Sequence, residues 1–202
     1  MRAVSFDLRQ NADADQSFAL DVTDEAALAA AFAETGPLRG LACAAEVKFR
    51  GGIEDPSWAA WRQVMAVNAG GAMLAMKHAS PAVQPGGAIV LLACGAAHKG
   101  ADGDVAYRTS KGAVLGLMRA SCGEFAARGV RVNAVSPGAM PDDVTPDRTA
   151  NLPMAGIARR AFGADDVAGA MLFLLSDEAS FIAGEELVVD GDFKDGCLRR
   201  TK

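Results

Sequence analysis

Residues that build metal centres and nucleic-acid surfaces are scarce in this chain. Its two histidines, His78 and His98, and its four cysteines, Cys43, Cys94, Cys122 and Cys197, stand far apart with no C-x-x-C pair, so no metal-ligand spacing exists. Such cysteines fit reduced thiols in the cytosol better than a disulfide framework. Basic residues pair only as Arg159-Arg160 and Arg199-Arg200, with no longer cluster, and a net charge of -5 with a pI near 5.0 argues against a phosphate-bearing polymer as partner. No apolar run approaches the roughly 18 residues of a membrane span. Asp7 and Arg9 also break the stretch in which a signal peptide needs its apolar core. Aromatic residues make up 6% of the chain, and Tyr107 is the single tyrosine. What is present is a chain of 202 residues, half of it hydrophobic and 22% charged, enough for one sizeable core. One domain spanning residues 1–202 is expected, cytoplasmic, with a small-molecule substrate and neither a nucleic acid nor a membrane as partner.

Short apolar runs alternate with Ala-rich segments of helical period, which predicts strand-helix units building an α/β, doubly wound parallel sheet. The strands are expected at Ala3 to Asp7, Ser17 to Leu20, Gly40 to Ala44, Ala88 to Ala93, Val130 to Val135 and Glu186 to Val189. Helices are expected at about Asp24 to Glu34, Ser57 to Ala79, Asp104 to Arg128 and Ala164 to Leu175, with Thr23 as N-cap of the first. The stretch from Ser136 to Asn151 has no period and holds Pro137, Gly138, Pro141 and Pro146, as suits a loop over a site. Ligands of open parallel sheets bind beyond the carboxyl ends of the strands, and this loop follows one such end.

Tyr107 and Lys111, four positions apart on a predicted helix, share one face about a turn apart. An ammonium beside a phenol favours the phenolate and makes tyrosine usable as an acid-base group near neutral pH. By chance alone many helices carry such a pair, so the surrounding residues decide. The segment Val105-Ala106-Tyr107-Arg108-Thr109-Ser110-Lys111-Gly112-Ala113-Val114 resembles the active-site helix of short-chain dehydrogenases. Asp21-Val22-Thr23-Asp24, Val67-Asn68-Ala69-Gly70-Gly71, Gly86-Gly87-Ala88-Ile89-Val90, Arg131-Val132-Asn133-Ala134-Val135-Ser136-Pro137-Gly138 and Val188-Val189-Asp190-Gly191 accompany it in the family's order. The chain therefore resembles the short-chain dehydrogenase/reductase family over nearly its whole length. Within that family, the short connection after Asp7 and the triplet Ala96-Ala97-His98 are most similar to the 2,3-dihydro-2,3-dihydroxybenzoate dehydrogenases.

The resemblance implies that Tyr107 exchanges a proton with the substrate oxygen while hydride moves to or from NAD, with Lys111 assisting and also bonding the nicotinamide ribose. Asn68 is implied to hold a water in a proton relay, its alternative being a polar residue that satisfies a kink in its own helix. Asp7 is implied to hold the adenosine ribose and select NAD, or else to be a solvated strand end. Asp21 is placed against adenine, or is a turn-forming residue before a helix. Pro137 and Gly138 complete the implied cofactor contacts. Family members commonly assemble as dimers or tetramers, and a homo-oligomer built on the helices running from Ser57 and Asp104 is expected here.

The pattern also breaks. The family opens with a strand, a T-G-x-x-x-G-x-G loop and a helix that hold the pyrophosphate, whereas six residues precede Asp7. Either Met1 is an internal methionine of a longer protein, or the strand at Ala3 to Asp7 shifts inward beside the strand ending near Ala44. Cys43-Ala44-Ala45-Glu46 sets a carboxylate where the family has a glycine, which crowds and repels a pyrophosphate ligand. Cys94, thirteen residues before Tyr107, replaces the catalytic serine, and Asp142, five after Pro137, replaces a threonine. A thiol is a weak donor, so Cys94 as an oxyanion contact implies a slow dehydrogenase. Its alternatives are a nucleophile beside Lys111 or a small buried thiol. Two functions follow. One is an NAD-dependent oxidoreductase of a small alcohol, ketone or dihydrodiol. The other is a non-redox homologue, either a dehydratase or isomerase or an inactive partner subunit, in which NAD binds weakly or not at all.

Overall fold

The computed structural model describes residues 2–98, 103–138 and 162–190. Among these residues six strands, β1 (Val4–Asp7), β2 (Gln16–Ala19), β3 (Leu38–Cys43), β4 (Val83–Leu92), β5 (Arg131–Pro137) and β6 (Glu186–Val189), are separated by helices from β2 onward. The helices are α1 (Glu25–Thr35), α2 (Trp58–Met65), α3 (Gly71–Ala79), α4 (Val105–Ala126) and α5 (Ala164–Leu175). All strand pairs are parallel. Side chains alternate across the central strand β4. Ile89 and Leu91 pack with Met76 of α3 and Val114 and Met118 of α4, whereas Val90 faces Val167, Met171 and Leu174 of α5 on the opposite side. Helices on both faces explain why β4 reads as an uninterrupted apolar run.

The strands form two sheets rather than the single one expected. β3-β4-β5-β6 is continuous, while β1 and β2 pair only with each other. The unpaired edge of β1 and the outer edge of β3 line a common cavity of about 740 Å³, reached by Val4, Phe6 and Asp7 from one side and by Leu41 and Cys43 from the other. The inward shift of β1 onto β3 is therefore not what the chain does. Phe6 supplies the reason: its ring stacks on Phe18 of β2 at 5.3 Å and on Phe32 of α1 at 4.5 Å, which ties β1 to its own neighbours.

Local chemistry sets most boundaries, with three corrections. Asp24, not Thr23, caps α1, its Oδ1 accepting from the Ala27 amide at 3.0 Å. The stretch expected as one helix from Ser57 to Ala79 is α2 and α3 joined by a π turn over Ala66–Gly70, and such insertions recur at functional sites. β4 begins at Val83, five residues early, because Val83 pairs with Leu38 before the register slips at Gly86 and Gly87. A Cβ on Gly87 would lie 2.9 Å from the Arg39 carbonyl oxygen, so glycine is what allows the strands to close there.

Candidate active site

The carboxyl ends of β3, β4 and β5 share one rim of the sheet, and the loop leaving β3 crosses it. Within that loop Glu46, Val47 and Lys48 form a short strap. Asn68, buried in the π turn, pins its centre: the Asn68 Oδ1 accepts from the Val47 amide at 2.8 Å, and its Nδ2 donates to the Val47 carbonyl at 3.0 Å. The same Nδ2 donates to the Ser110 Oγ at 2.8 Å, and the Ser110 hydroxyl donates to the Tyr107 carbonyl at 2.7 Å. The Asn68 amide thus does not satisfy a kink in its own helix. It ties the β3 loop to α4, and a π turn suits that task because it displaces a side chain from the regular helical face.

With its centre pinned, the strap delivers Glu46 onto the two residues expected to do the chemistry. Tyr107 donates its hydroxyl to the Glu46 Oε2 at 3.0 Å, and the Lys111 Nζ lies 2.6 Å from the same oxygen. Lys48 approaches the other oxygen at 3.4 Å. Lys111 also donates to the Leu92 carbonyl at 2.8 Å, at the end of β4, and its side chain is 1% exposed. Both lysine ammoniums stand over the Tyr107 ring, Lys48 at 5.4 Å and Lys111 at 5.5 Å from its centre. Glu46, expected to crowd and repel an anionic ligand, is ion-paired here with Lys111 and Lys48.

Charge balance follows from burial. Burial alone pushes the Glu46 carboxyl up, but Lys111, with Lys48 and the Tyr107 hydroxyl behind it, outweighs burial and holds the group below its ordinary 4.5. Burial pushes the Lys111 ammonium down from its ordinary 10.5, and the Glu46 carboxylate opposes the fall without cancelling it. Cys94 is half-buried just beyond β4, close enough for a thiolate there to favour the ammonium of Lys111 as well.

The remaining expected residues stand apart from this cluster. Asp7 is exposed at the carboxyl end of β1, where its Oδ1 accepts from the Arg9 amide at 3.1 Å. Asp21 accepts both the amide and the hydroxyl of Thr23 at 2.8 Å, which fits the turn-forming alternative and lowers its pKa from the ordinary 3.8. Pro137 ends β5 in the core, and the Gly138 amide donates to the Val189 carbonyl at 2.9 Å. A Cβ on Gly138 would stand 2.8 Å from that of Asp190, so only glycine brings the chain so near β6. Asp142 and the loop beyond Gly138 lie outside the described residues, as does the side chain of His98. Ser110 and Lys48 were not anticipated. Ser110, one residue before Lys111, is the polar residue whose side chain turns back into the core, a signal visible only once its face is known.

Residues 4–193 match the family model described as enoyl-(acyl carrier protein) reductase. 2-(S)-hydroxypropyl-CoM dehydrogenase 3 of Xanthobacter autotrophicus is 36% identical over 195 residues, covering 88% of this chain and 74% of that protein. The 2,5-dichloro-2,5-cyclohexadiene-1,4-diol dehydrogenase LinX of Sphingobium indicum is 36% identical over 191 residues, covering 88% and 75%. The ligand-free structure of Thermoplasma acidophilum aldohexose dehydrogenase superposes with a TM-score of 0.82 at 28% identity, over 94% of this chain and 83% of that one.

Proposed function

Since this chain belongs to the short-chain dehydrogenase/reductase family, we propose that it is a nicotinamide-dependent oxidoreductase interconverting a small secondary alcohol or dihydrodiol with its ketone. The observation that carries the reading is the meeting of the Tyr107 hydroxyl and the Lys111 ammonium on one oxygen atom, at 3.0 and 2.6 Å. A substrate oxygen brought beside this pair, next to Glu46, would face a proton donor and a cation together, which is what a carbonyl gaining negative charge requires. Relatives named for hydroxypropyl-CoM, a cyclohexadiene-diol and an aldohexose support a hydroxyl-bearing carbon as the reacting centre.

The residues fit a nicotinamide dinucleotide, whose chemistry when bound is to accept or deliver a hydride. Lys111 would hold the nicotinamide ribose with the ammonium that Glu46 now engages, Asp7 the adenosine ribose hydroxyls, and Asp21 the adenine. Pro137 and Gly138, at the carboxyl end of β5, would complete the contacts to the cofactor. Asp7 would favour NAD by repelling a ribose phosphate. Asn68 would position Tyr107 through Ser110, and Cys94 would be a weak donor toward the substrate oxygen. The acidic, cytosol-suited composition and association through α2 and α4 belong to the same reading.

NADH titration followed by energy transfer from Trp58 and Trp61 tests the cofactor. Saturable binding in the micromolar range is expected, and no signal at millimolar NADH would rule the redox reading out. Tyr107→Phe is expected to lower turnover of a cyclic secondary alcohol about a hundredfold or more while leaving NADH binding intact. A variant as active as the wild type would remove Tyr107 from the chemistry.

A further inference from the structure

The Glu46 carboxylate is a feature that a tyrosine-lysine acid-base pair does not need and in one respect opposes. Lys111 and Lys48, both over the Tyr107 ring, favour a phenolate, whereas a carboxylate oxygen 3.0 Å from the hydroxyl accepts its proton in a hydrogen bond and repels the anion that would replace it. The opposition is built rather than incidental. Asn68 clamps both backbone groups of Val47, so the residue on either side of it is fixed: Glu46 onto Lys111 and Tyr107, Lys48 onto Glu46. The charged or titratable groups around the hydroxyl include Glu46 and Lys48 from the strap and Lys111 from α4, with Cys94 beyond β4 acting on Lys111.

We propose that Glu46 is a positioning residue that keeps Tyr107 as the proton-bearing phenol at neutral pH, setting the site to reduce a carbonyl rather than to oxidise an alcohol. The inference rests on the oxidoreductase reading above. In the favoured direction the carbonyl carbon receives a hydride from reduced nicotinamide, the C=O π pair becomes an O–H bond with the Tyr107 proton, and Tyr107 is left as phenolate. That phenolate stands beside the Glu46 carboxylate, so it recovers a proton from solvent readily and the phenol is restored. In the opposite direction the enzyme must first ionise Tyr107 against Glu46, which confines oxidation to alkaline pH.

Because Tyr107 is the single tyrosine, the phenolate band in the near ultraviolet titrates this one hydroxyl without cofactor or substrate. In Glu46→Gln the ionisation step is expected to fall by about one pH unit or more from its wild-type position. That variant strips the buried Lys111 of its carboxylate and may not fold, so a second comparison uses Lys111→Met and Lys111→Met/Glu46→Gln, in which no buried ammonium lacks a counter-ion. Lys111→Met is expected to raise the step, and adding Glu46→Gln to bring it back down by a similar amount. Equal steps in the single and double variants would overturn the proposal. Failure of NADH binding would instead refute the redox reading and leave the titration intact. Where turnover is measurable, Glu46→Gln is expected to move the alkaline limb of carbonyl reduction to lower pH, and an unmoved limb would also contradict the assignment.

Discussion

β4 and β1 are both parallel strands with apolar side chains, yet they experience different surroundings. Ile89, Val90 and Leu91 of β4 are 0% exposed, paired on both edges and covered by helices on both faces. Val4, Ser5 and Phe6 of β1 are only half-buried, paired on one edge and open to the cavity along the other. The difference teaches that an apolar strand obtains its stability from neighbours and not from its own composition, since an edge without a partner leaves backbone groups and side chains short of contacts. It also separates the proposed site from the weaker region: Tyr107, Lys111 and Asn68 hang from α4, the π turn and the end of β4, all on the fully paired side.

The comparison can be broken most directly by hydrogen exchange. Amides of β4 and β5 are expected to exchange only through global opening, those of β1 and β2 through local opening several kcal/mol cheaper, on the order of a thousandfold faster. Uniform protection across both sheets would dissolve the distinction. A smaller effect separates the side chains. Ile89→Ala is expected to cost about 2–5 kcal/mol in urea unfolding, from lost transfer energy and a new cavity. Phe6→Ala borders an existing cavity and should cost mainly the area term, on the order of 1–2 kcal/mol. Similar values for the two would mean that β1 is packed as tightly as β4.

The smallest effect concerns the strap. A carboxyl held below its ordinary 4.5 lends stability that is complete above that pH and is lost as pH falls through the lowered value. The wild type should therefore lose stability in this acid range that Lys111→Met/Glu46→Gln does not lose. Parallel acid profiles for the two proteins would detach Glu46 from the stability of the folded state.

Much of this was legible from residue order. Short apolar runs set against segments of helical period located the six strands of the described residues and the helices, the start of β4 apart, to within a few residues, and Tyr107 and Lys111 fall on one face of α4 as their spacing requires. Where expectation missed, the deciding contact was remote. Thr23 lost the cap to Asp24 because the carboxylate of Asp21 had already engaged it. The helix from Ser57 broke at Asn68 because its amide reaches Val47, twenty-one residues earlier, and Ser110, forty-two later. β4 gained residues from a pairing with Leu38 that no local propensity announces.

By itself, then, the order of residues determined the α/β alternation, the parallel class of the sheet and the shared face of Tyr107 and Lys111, because each depends on periodicity within a single element. Only the tertiary structure decided that β1 stays apart from β3 and that Glu46 lands on Lys111. Both depend on how separate segments meet: in the first case through the stack of Phe6 on Phe18 and Phe32, in the second through a loop whose course is set by two hydrogen bonds from Asn68 rather than by any repeat of its own.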